Sequence, residues 1–358
     1  MEWRRESFLC NLLRHVGAVK AFLLTGKSQA KIAERPEPPS ISEEQVLVGV
    51  KSISICGTDS HIFSGDIATK RLPLVMGHEG GGVILEVGPG VVGLARGDNV
   101  LIDPNIVDHT CDLCVRGLTN LCRNGGILGR DTDGVFSERI ALRSDSVYKL
   151  PPSIPEEVIP LIQPLSTVVR GMSFLTIKPG DSVLVIGLGA VGLMFAQLCK
   201  LEGATVIGAR RTWSDHMFPV SRAFGVDHPI NTTKLDLAQE VRKITGGRGP
   251  DAVILTANAP EMIQMCMDLV RPGGTILQFF NFHGTGSYET YQMYLKEIKL
   301  VTSRSSVPSD FASSINLVTS GKMPLAKLIT GRYTFDEAER ALEVNEDRKQ
   351  SLKVIIRV

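Results

Sequence analysis

In "ICGTDSHIF", residues Ile55 to Phe63, Cys56, Thr58, Asp59 and His61 fall within six consecutive positions. Such a set can be a reactive thiol, part of a metal site or only a polar turn. Further on, Gly77-His78-Glu79 leads into the glycine-rich "GGGVILEVGPGV", which puts an imidazole and a carboxylate where the chain turns close to itself. Taken singly, Cys56 reads as a small buried hydrophobe and His78 as a satisfied core histidine. Together, a thiolate, an imidazole and a carboxylate supplied from turns can form a zinc site that keeps one position open, as catalytic zinc requires. Cys111, Cys114 and Cys122 make a second group, whose spacing suits a metal better than a disulfide frame.

A third motif is built from backbone. In "VLVIGLGAVGLMFAQLCK", Gly187, Gly189 and Gly192 form G-x-G-x-x-G between an apolar strand pattern and a helix pattern. The first glycine permits the tight turn, the second lets the backbone approach a pyrophosphate, and the third lets helix and strand pack closely. With Leu188, Ala190 and Val191 they form the expected cofactor-binding turn, whose helix N-terminus offers free N–H groups to phosphate. Where a carboxylate about 20 residues on would bind a free ribose 2′-hydroxyl, the next strand ends in Arg210 and Arg211. Guanidinium groups there pair with a 2′-phosphate, so NADP(H) is expected over NAD(H).

These groups need elements to hold them. A chain of 358 residues with 43% hydrophobic residues exceeds what one core usually serves, so two domains are expected. From Val19 to about Pro152, short apolar stretches broken by Gly, Pro and Asp predict a strand-rich, barrel-like domain. Beyond "LPPSIPEEVIPLIQPLS", strand and helix patterns alternate through "DSVLVIGLG", "ATVIGA", "DAVILTA" and "GGTILQFF", predicting an α/β, doubly wound parallel sheet. Lys plus Arg at 39 against Asp plus Glu at 38, with no long like-charge block, argues against nucleic acid or an anionic membrane as partner. No apolar run of about 18 residues suggests a membrane span. The odd count of seven cysteines favours a reducing, cytoplasmic setting, and residues 1–17 read as an N-terminal extension without the apolar core of a secretory signal.

The motifs together resemble the zinc-dependent medium-chain dehydrogenases/reductases, the alcohol and polyol dehydrogenase family. Residues 77–91 follow that family's zinc signature G-H-E-x-x-G-x(5)-G-x-x-V throughout, and "CGTDSH", "CDLCVRGLTNLC" and "GLGAVG" occur in its order. The resemblance spans Val19 to Val358 and leans toward the sorbitol, threonine and glucose dehydrogenase branch. It implies a GroES-like β-rich catalytic domain over residues 18–163, a Rossmann domain over 164–304 and a return to the catalytic domain over 305–358.

It also implies roles. Cys56 and His78 match catalytic zinc ligands, and Glu79 the neighbouring carboxylate that can bind or release the metal. Gln163, in "IQPLS", stands where polyol relatives carry glutamate. A neutral carbonyl oxygen lowers the negative charge of the site, which then holds zinc more weakly or leans on Glu79. Thr58 and His61 match a relay that moves the substrate proton, by way of the cofactor ribose, to solvent, while Asp59 reads as structural. Asp108, Cys111, Cys114 and Cys122 match a structural zinc lobe in which aspartate replaces the first cysteine; His109 could compete. Lys353 matches a basic position that reaches the cofactor pyrophosphate. Phe279, Phe280 and Asn281 lie at the edge expected near nicotinamide, where an aromatic pair could equally be core or subunit contact.

The function implied is a zinc-dependent oxidoreductase moving hydride between NADP(H) and a secondary alcohol or ketone, such as a sugar or polyol, in a homodimer or homotetramer. The alternatives are a simpler alcohol dehydrogenase or ketone reductase and a catalytically silent NADPH-binding protein; intact Cys56, Thr58, His61 and His78 argue against silence.

Overall fold

The computed structural model describes residues 17–38, 40–211, 217–257, 259–279, 285–347 and 351–358. All of the expected N-terminal extension except Gly17 lies outside these residues, as do Phe280 and Asn281.

The first sheet is organised around the strand Gln45–Ser54, "QVLVGVKSIS", whose apolar residues are buried on both faces. It pairs antiparallel with Glu79–Val87 on one side, and on the other with Arg139–Arg143 near its start and Lys353–Arg357 near its end. The sheet continues through Asn99–Ile102 to Val147–Lys149, and through Lys353–Arg357 to Ile329–Thr334. Strand register fixes where the Cys56 turn emerges. Ser54 lies opposite Glu79 on one neighbour and opposite Ile355 on the other. The turn that carries Cys56 therefore leaves the sheet between Glu79 and the start of the C-terminal strand. The Ile55 amide, still bonded to the Val354 carbonyl at 3.0 Å, marks where it departs.

A small sheet of Gln29–Pro36, Ala18–Gly26 and Leu74–Val75 lies beside this one. Phe22, Ile53, Met76, Ile84 and Phe136 fill the shared core.

The second sheet has six parallel strands in the order His228–Asn231, Thr205–Arg210, Ser182–Ile186, Ala252–Leu255, Thr275–Gln278 and Lys299–Thr302. This is the doubly wound order, with its switch point between Ser182–Ile186 and Ala252–Leu255. All five residues of Ser182–Ile186 are buried, as a strand covered on both faces requires. Alternation then divides them: Val183 and Val185 face a core with Leu193, Phe195 and Phe311, whereas Leu184 and Ile186 face another with Ile207, Val253 and Ile263. The first of these cores also takes in Leu101, Leu150 and Ile355, so it runs without a break into the β-rich part of the chain. Among the described residues, no helix is long and apolar enough to cross a membrane.

Gly77 shows how tightly the two parts of the site-bearing turn are held. Its φ of +88° lies in the left-handed region, and a Cβ there would run into the Phe136 ring. Gly77→Ala should therefore cost about 1–3 kcal/mol of stability. A urea midpoint unchanged from the parent would show that the turn is not under this constraint.

Candidate active site and metal centres

Cys56 caps the short helix Gly57–Phe63, and Asp59, within that helix's first turn, bends back to accept the Cys56 amide at 2.8 Å. The other oxygen of Asp59, which is fully buried, lies 3.2 Å from His78 Nδ1. A carboxylate can only accept, so Nδ1 carries a hydrogen and Nε2 is the nitrogen that a second proton or a metal ion can take. Burial opposes a charge on His78, but Asp59 and then Cys56 outweigh it and hold the imidazole well above its ordinary range. The histidine is thus a strong base facing a partner that can be either a proton or a cation.

The ligand atoms of Cys56, His78 and Glu79 all lie within 4.8 Å of one another. Donors around one tetrahedral zinc ion stand roughly 3.3–3.8 Å apart, so a modest contraction would seat the ion. The donor chemistry fits a metal that retains an open position. Gln163 is buried in the first turn of the helix Ile162–Met172, which packs against the strand that begins at Glu79. Its backbone carbonyl accepts the Ser166 hydroxyl at 2.6 Å.

Lys353 does not take the place expected of it. Its ammonium is buried and holds both oxygens of Glu79, at 2.7 and 2.6 Å, with the Ile55 carbonyl at 3.4 Å. The group expected at the pyrophosphate is instead paired with Glu79 beside the turn that carries Cys56. Its position comes from the strand register, which a lone lysine near the chain end does not announce in the sequence. Thr58 is half-buried on the same short helix as His61, whose Nδ1 lies 3.2 Å from Asp66 near the surface.

The second cluster brings together Asp108, Cys111, Cys114 and Cys122, with ligand atoms again within 4.8 Å. Asp108 accepts the Thr110 and Cys111 amides at 3.0 Å each and the Asn124 amide at 2.7 Å, which hold its carboxyl below the usual range. Cys111 and Cys114 stand 3.4 Å apart as free thiols. Backbone amides of Arg123 and Cys114 lower the Cys111 thiol, whereas desolvation and the adjacent sulfur of Cys111 push Cys114 up to about 12. Three thiols so close can all ionise only beside a cation, so this donor set also fits a metal. His109 is not a competitor, because its Nε2 pairs with Asp145 at 3.1 Å.

At the glycine turn the three positions have different surroundings. Gly187 has φ +101°, and a Cβ there would meet Thr256 and Ala257 at 2.6 and 2.7 Å. A Cβ on Gly192 would strike the Gly187 carbonyl, while Gly189, at the start of the helix Ala190–Leu201, has nothing within 4 Å. The second glycine alone therefore leaves its backbone open to a ligand. Thr256, which nothing in the sequence singled out, donates to the Gly187 carbonyl at 2.5 Å and the Ile186 carbonyl at 3.1 Å, fixing the turn from the neighbouring strand. Arg210 donates to the Leu188 carbonyl at 2.5 Å, which puts its guanidinium at this turn; Arg211 is exposed. Phe279 is half-buried and edge-on to Phe195, with ring centres 4.8 Å apart, so one of its faces packs against the core at this strand end.

Comparisons with known proteins agree with this geometry. Residues 42–152 match the alcohol dehydrogenase GroES-like domain, and residues 190–320 match the zinc-binding dehydrogenase domain. The chain is 30% identical to the sorbitol dehydrogenase of Halalkalibacterium halodurans over 94% of its own length and 99% of the relative's. An alcohol dehydrogenase from Escherichia coli CFT073 complexed with NADH superposes with a TM-score of 0.88 at 28% identity, covering 95% of this chain and 99% of that one. A zinc-binding dehydrogenase from Sinorhizobium meliloti 1021 bound to NADP gives a TM-score of 0.88 at 25% identity, covering 96% and 100%. With a thiol, imidazole and carboxylate beside one sheet and a glycine turn at the switch point of the other, the chain belongs to the zinc-type medium-chain dehydrogenases/reductases, oxidoreductases that use zinc and a nicotinamide cofactor.

Proposed function

We propose that this chain is a zinc-dependent oxidoreductase that passes hydride between NADP(H) and a secondary alcohol or ketone, with a sugar or polyol as substrate. The observation that carries the reading is the convergence of Cys56, His78 and Glu79, with Asp59 joining the first two. Sorbitol as the named substrate of a relative aligned over nearly its full length supports the polyol class.

In this reading Cys56, His78 and Gln163 hold the catalytic zinc, with Glu79 beside it, and Asp108, Cys111, Cys114 and Cys122 hold a structural one. Zinc would supply a Lewis acid that stabilises alkoxide, and the nicotinamide a hydride acceptor. The protein's own part is to orient and to move protons. Asp59 keeps the His78 hydrogen on Nδ1, so that Nε2 faces the metal. Thr58 holds the substrate hydroxyl and takes its proton, and His61, three residues along the same helix and partly open to solvent, exchanges with water. Gly187, Leu188, Gly189, Ala190, Val191 and Gly192 cradle the pyrophosphate, and Arg210 and Arg211 take the 2′-phosphate.

We read residues 18–163 as the catalytic domain, 164–304 as the cofactor domain and 305–358 as the return. The C-terminal strand in the first sheet supports that division. The free thiols suit a reducing, cytoplasmic setting, and the family resemblance suggests a homodimer or homotetramer.

Three outcomes test this. Cys56→Ala should lower turnover at least about 1,000-fold and remove one zinc per chain, while NADPH still binds by fluorescence titration; a metal-replete, active variant would sink the ligand assignment. Arg210→Asp combined with Arg211→Ser should move the ratio of kcat/KM for NADP over NAD by about 100-fold toward NAD, and an unchanged ratio would overturn the 2′-phosphate argument. Asp108→Ala should remove the other zinc and lower the thermal midpoint, with kcat per remaining zinc within about twofold of the parent. Full zinc content in that variant would show that the carboxylate is no ligand.

A further inference from the structure

We propose that Lys353 is a positioning residue that holds Glu79 out of the catalytic metal's coordination and cancels its charge, and so sets how electrophilic and how exchangeable that metal is. The inference rests on the metal site proposed above.

The geometry is specific. Lys353 Nζ takes both oxygens of Glu79, at 2.7 and 2.6 Å, and the two residues are 5% and 1% exposed, so each charge is met chiefly by the other and little by bulk solvent. The ammonium also reaches the carbonyl of Ile55, the residue before Cys56, at 3.4 Å. Strand register brings the two residues within reach: Glu79 and Ile355 both lie opposite Ser54 on the strands that flank it, and Lys353 stands two residues before Ile355, where Cys56 leaves the sheet. One lysine thus ties together the backbone leading to one ligand and the side chain of a neighbouring carboxylate.

Charge balance at the metal gives the consequence. Among the groups assigned to the metal, Cys56 brings one negative charge as thiolate, and His78 and Gln163 bring none. Glu79 lies close enough to Cys56 and His78 to join them, and as a free carboxylate it would neutralise the site, tighten its hold on the ion and weaken the ion as a Lewis acid. Paired with Lys353 it adds no net charge, and each oxygen already has a cationic donor. Without Lys353, Glu79 would be an uncompensated buried carboxylate with one cation within reach, the metal itself.

The test uses the full-length protein loaded with zinc or with cobalt, without substrate. In Lys353→Met, release of the catalytic metal to an excess of chelator should slow about tenfold or more. The visible bands of the cobalt form should weaken as Glu79 adds a ligand. Lys353→Arg, which keeps the charge, should release metal at a rate close to the parent's. If Lys353→Met does not fold, the double variant Lys353→Met/Glu79→Gln removes both buried charges and still decides the matter. Its release rate should stay within about threefold of the parent, because in the parent Glu79 is not bound.

Unchanged release and unchanged cobalt bands in Lys353→Met would overturn the inference, as would a double variant that loses metal about tenfold faster, since Glu79 would then already be a ligand. A parent protein that binds no metal, or a Cys56→Ala variant that keeps its full complement, would instead overturn the reading of the site on which the inference rests.

Discussion

A charge removed from water must be paired, and around Cys56 that requirement governs the architecture. Asp59, His78, Glu79 and Lys353 are all buried within the reach of one turn. Each is satisfied by another: Asp59 by the Cys56 amide and the His78 ring, and Glu79 by Lys353. Burying any one alone would cost several kcal/mol. The partners come from distant parts of the sequence, so only the completed sheet can bring them together. Pairing of the C-terminal strand beside Gln45–Ser54 is therefore also part of building the site, since it delivers Lys353 to Glu79.

The cofactor side obeys a different constraint, the space that backbone atoms need. Gly192 must admit the Gly187 carbonyl, and Gly187 must turn beneath Thr256 and Ala257, so that the unencumbered Gly189 faces outward. The turn is held from behind by the Thr256 hydroxyl and from the side by Arg210. Its ligand-facing surface is thereby left as backbone N–H groups at a helix start, suited to phosphate. Both sites are prepared by contacts on the side away from the ligand.

This distinction explains what could be read from the amino-acid order. The doubly wound sheet was legible because Ser182–Ile186 and its neighbours are continuous apolar runs separated by helix patterns, and the glycine turn because its spacing is local. That Cys56 lies with His78, and Asp108 with its three cysteines, was legible because groups able to bind a metal are of a few chemical types and the order of the motifs resembles a known family. Lys353 was misplaced by sequence reasoning, since nothing local distinguishes a lysine bound to phosphate from one bound to a carboxylate. That choice depends on the register opposite Ser54. Thr256 went unseen for a similar reason: a threonine after an apolar strand is ordinary until the neighbouring strand lies alongside it. Phe279 was ambiguous in sequence because an aromatic residue at a strand end can face either way, and only the folded chain shows its edge-on contact with Phe195.

The two clusters that could hold a metal ion answer the same electrostatic problem in opposite ways. In the lobe, Asp108 retains the negative charge that a thiolate would have brought, and its oxygen accepts the two amides of the turn it begins. Around an ion this donor set would be highly anionic and closed, which suits an ion that must stay. At the catalytic cluster the change runs the other way. Gln163 carries no charge, and the charge of Glu79 is met by Lys353. In the proposed ligand set a cation there would meet one uncompensated anion, Cys56, and two neutral donors, His78 and Gln163. Such a site would give up some affinity, and in return an ion there would draw more electron density from any oxygen that enters the open position. On the proposed ion, a glutamine at position 163 and a buried lysine at position 353 would therefore act in the same direction.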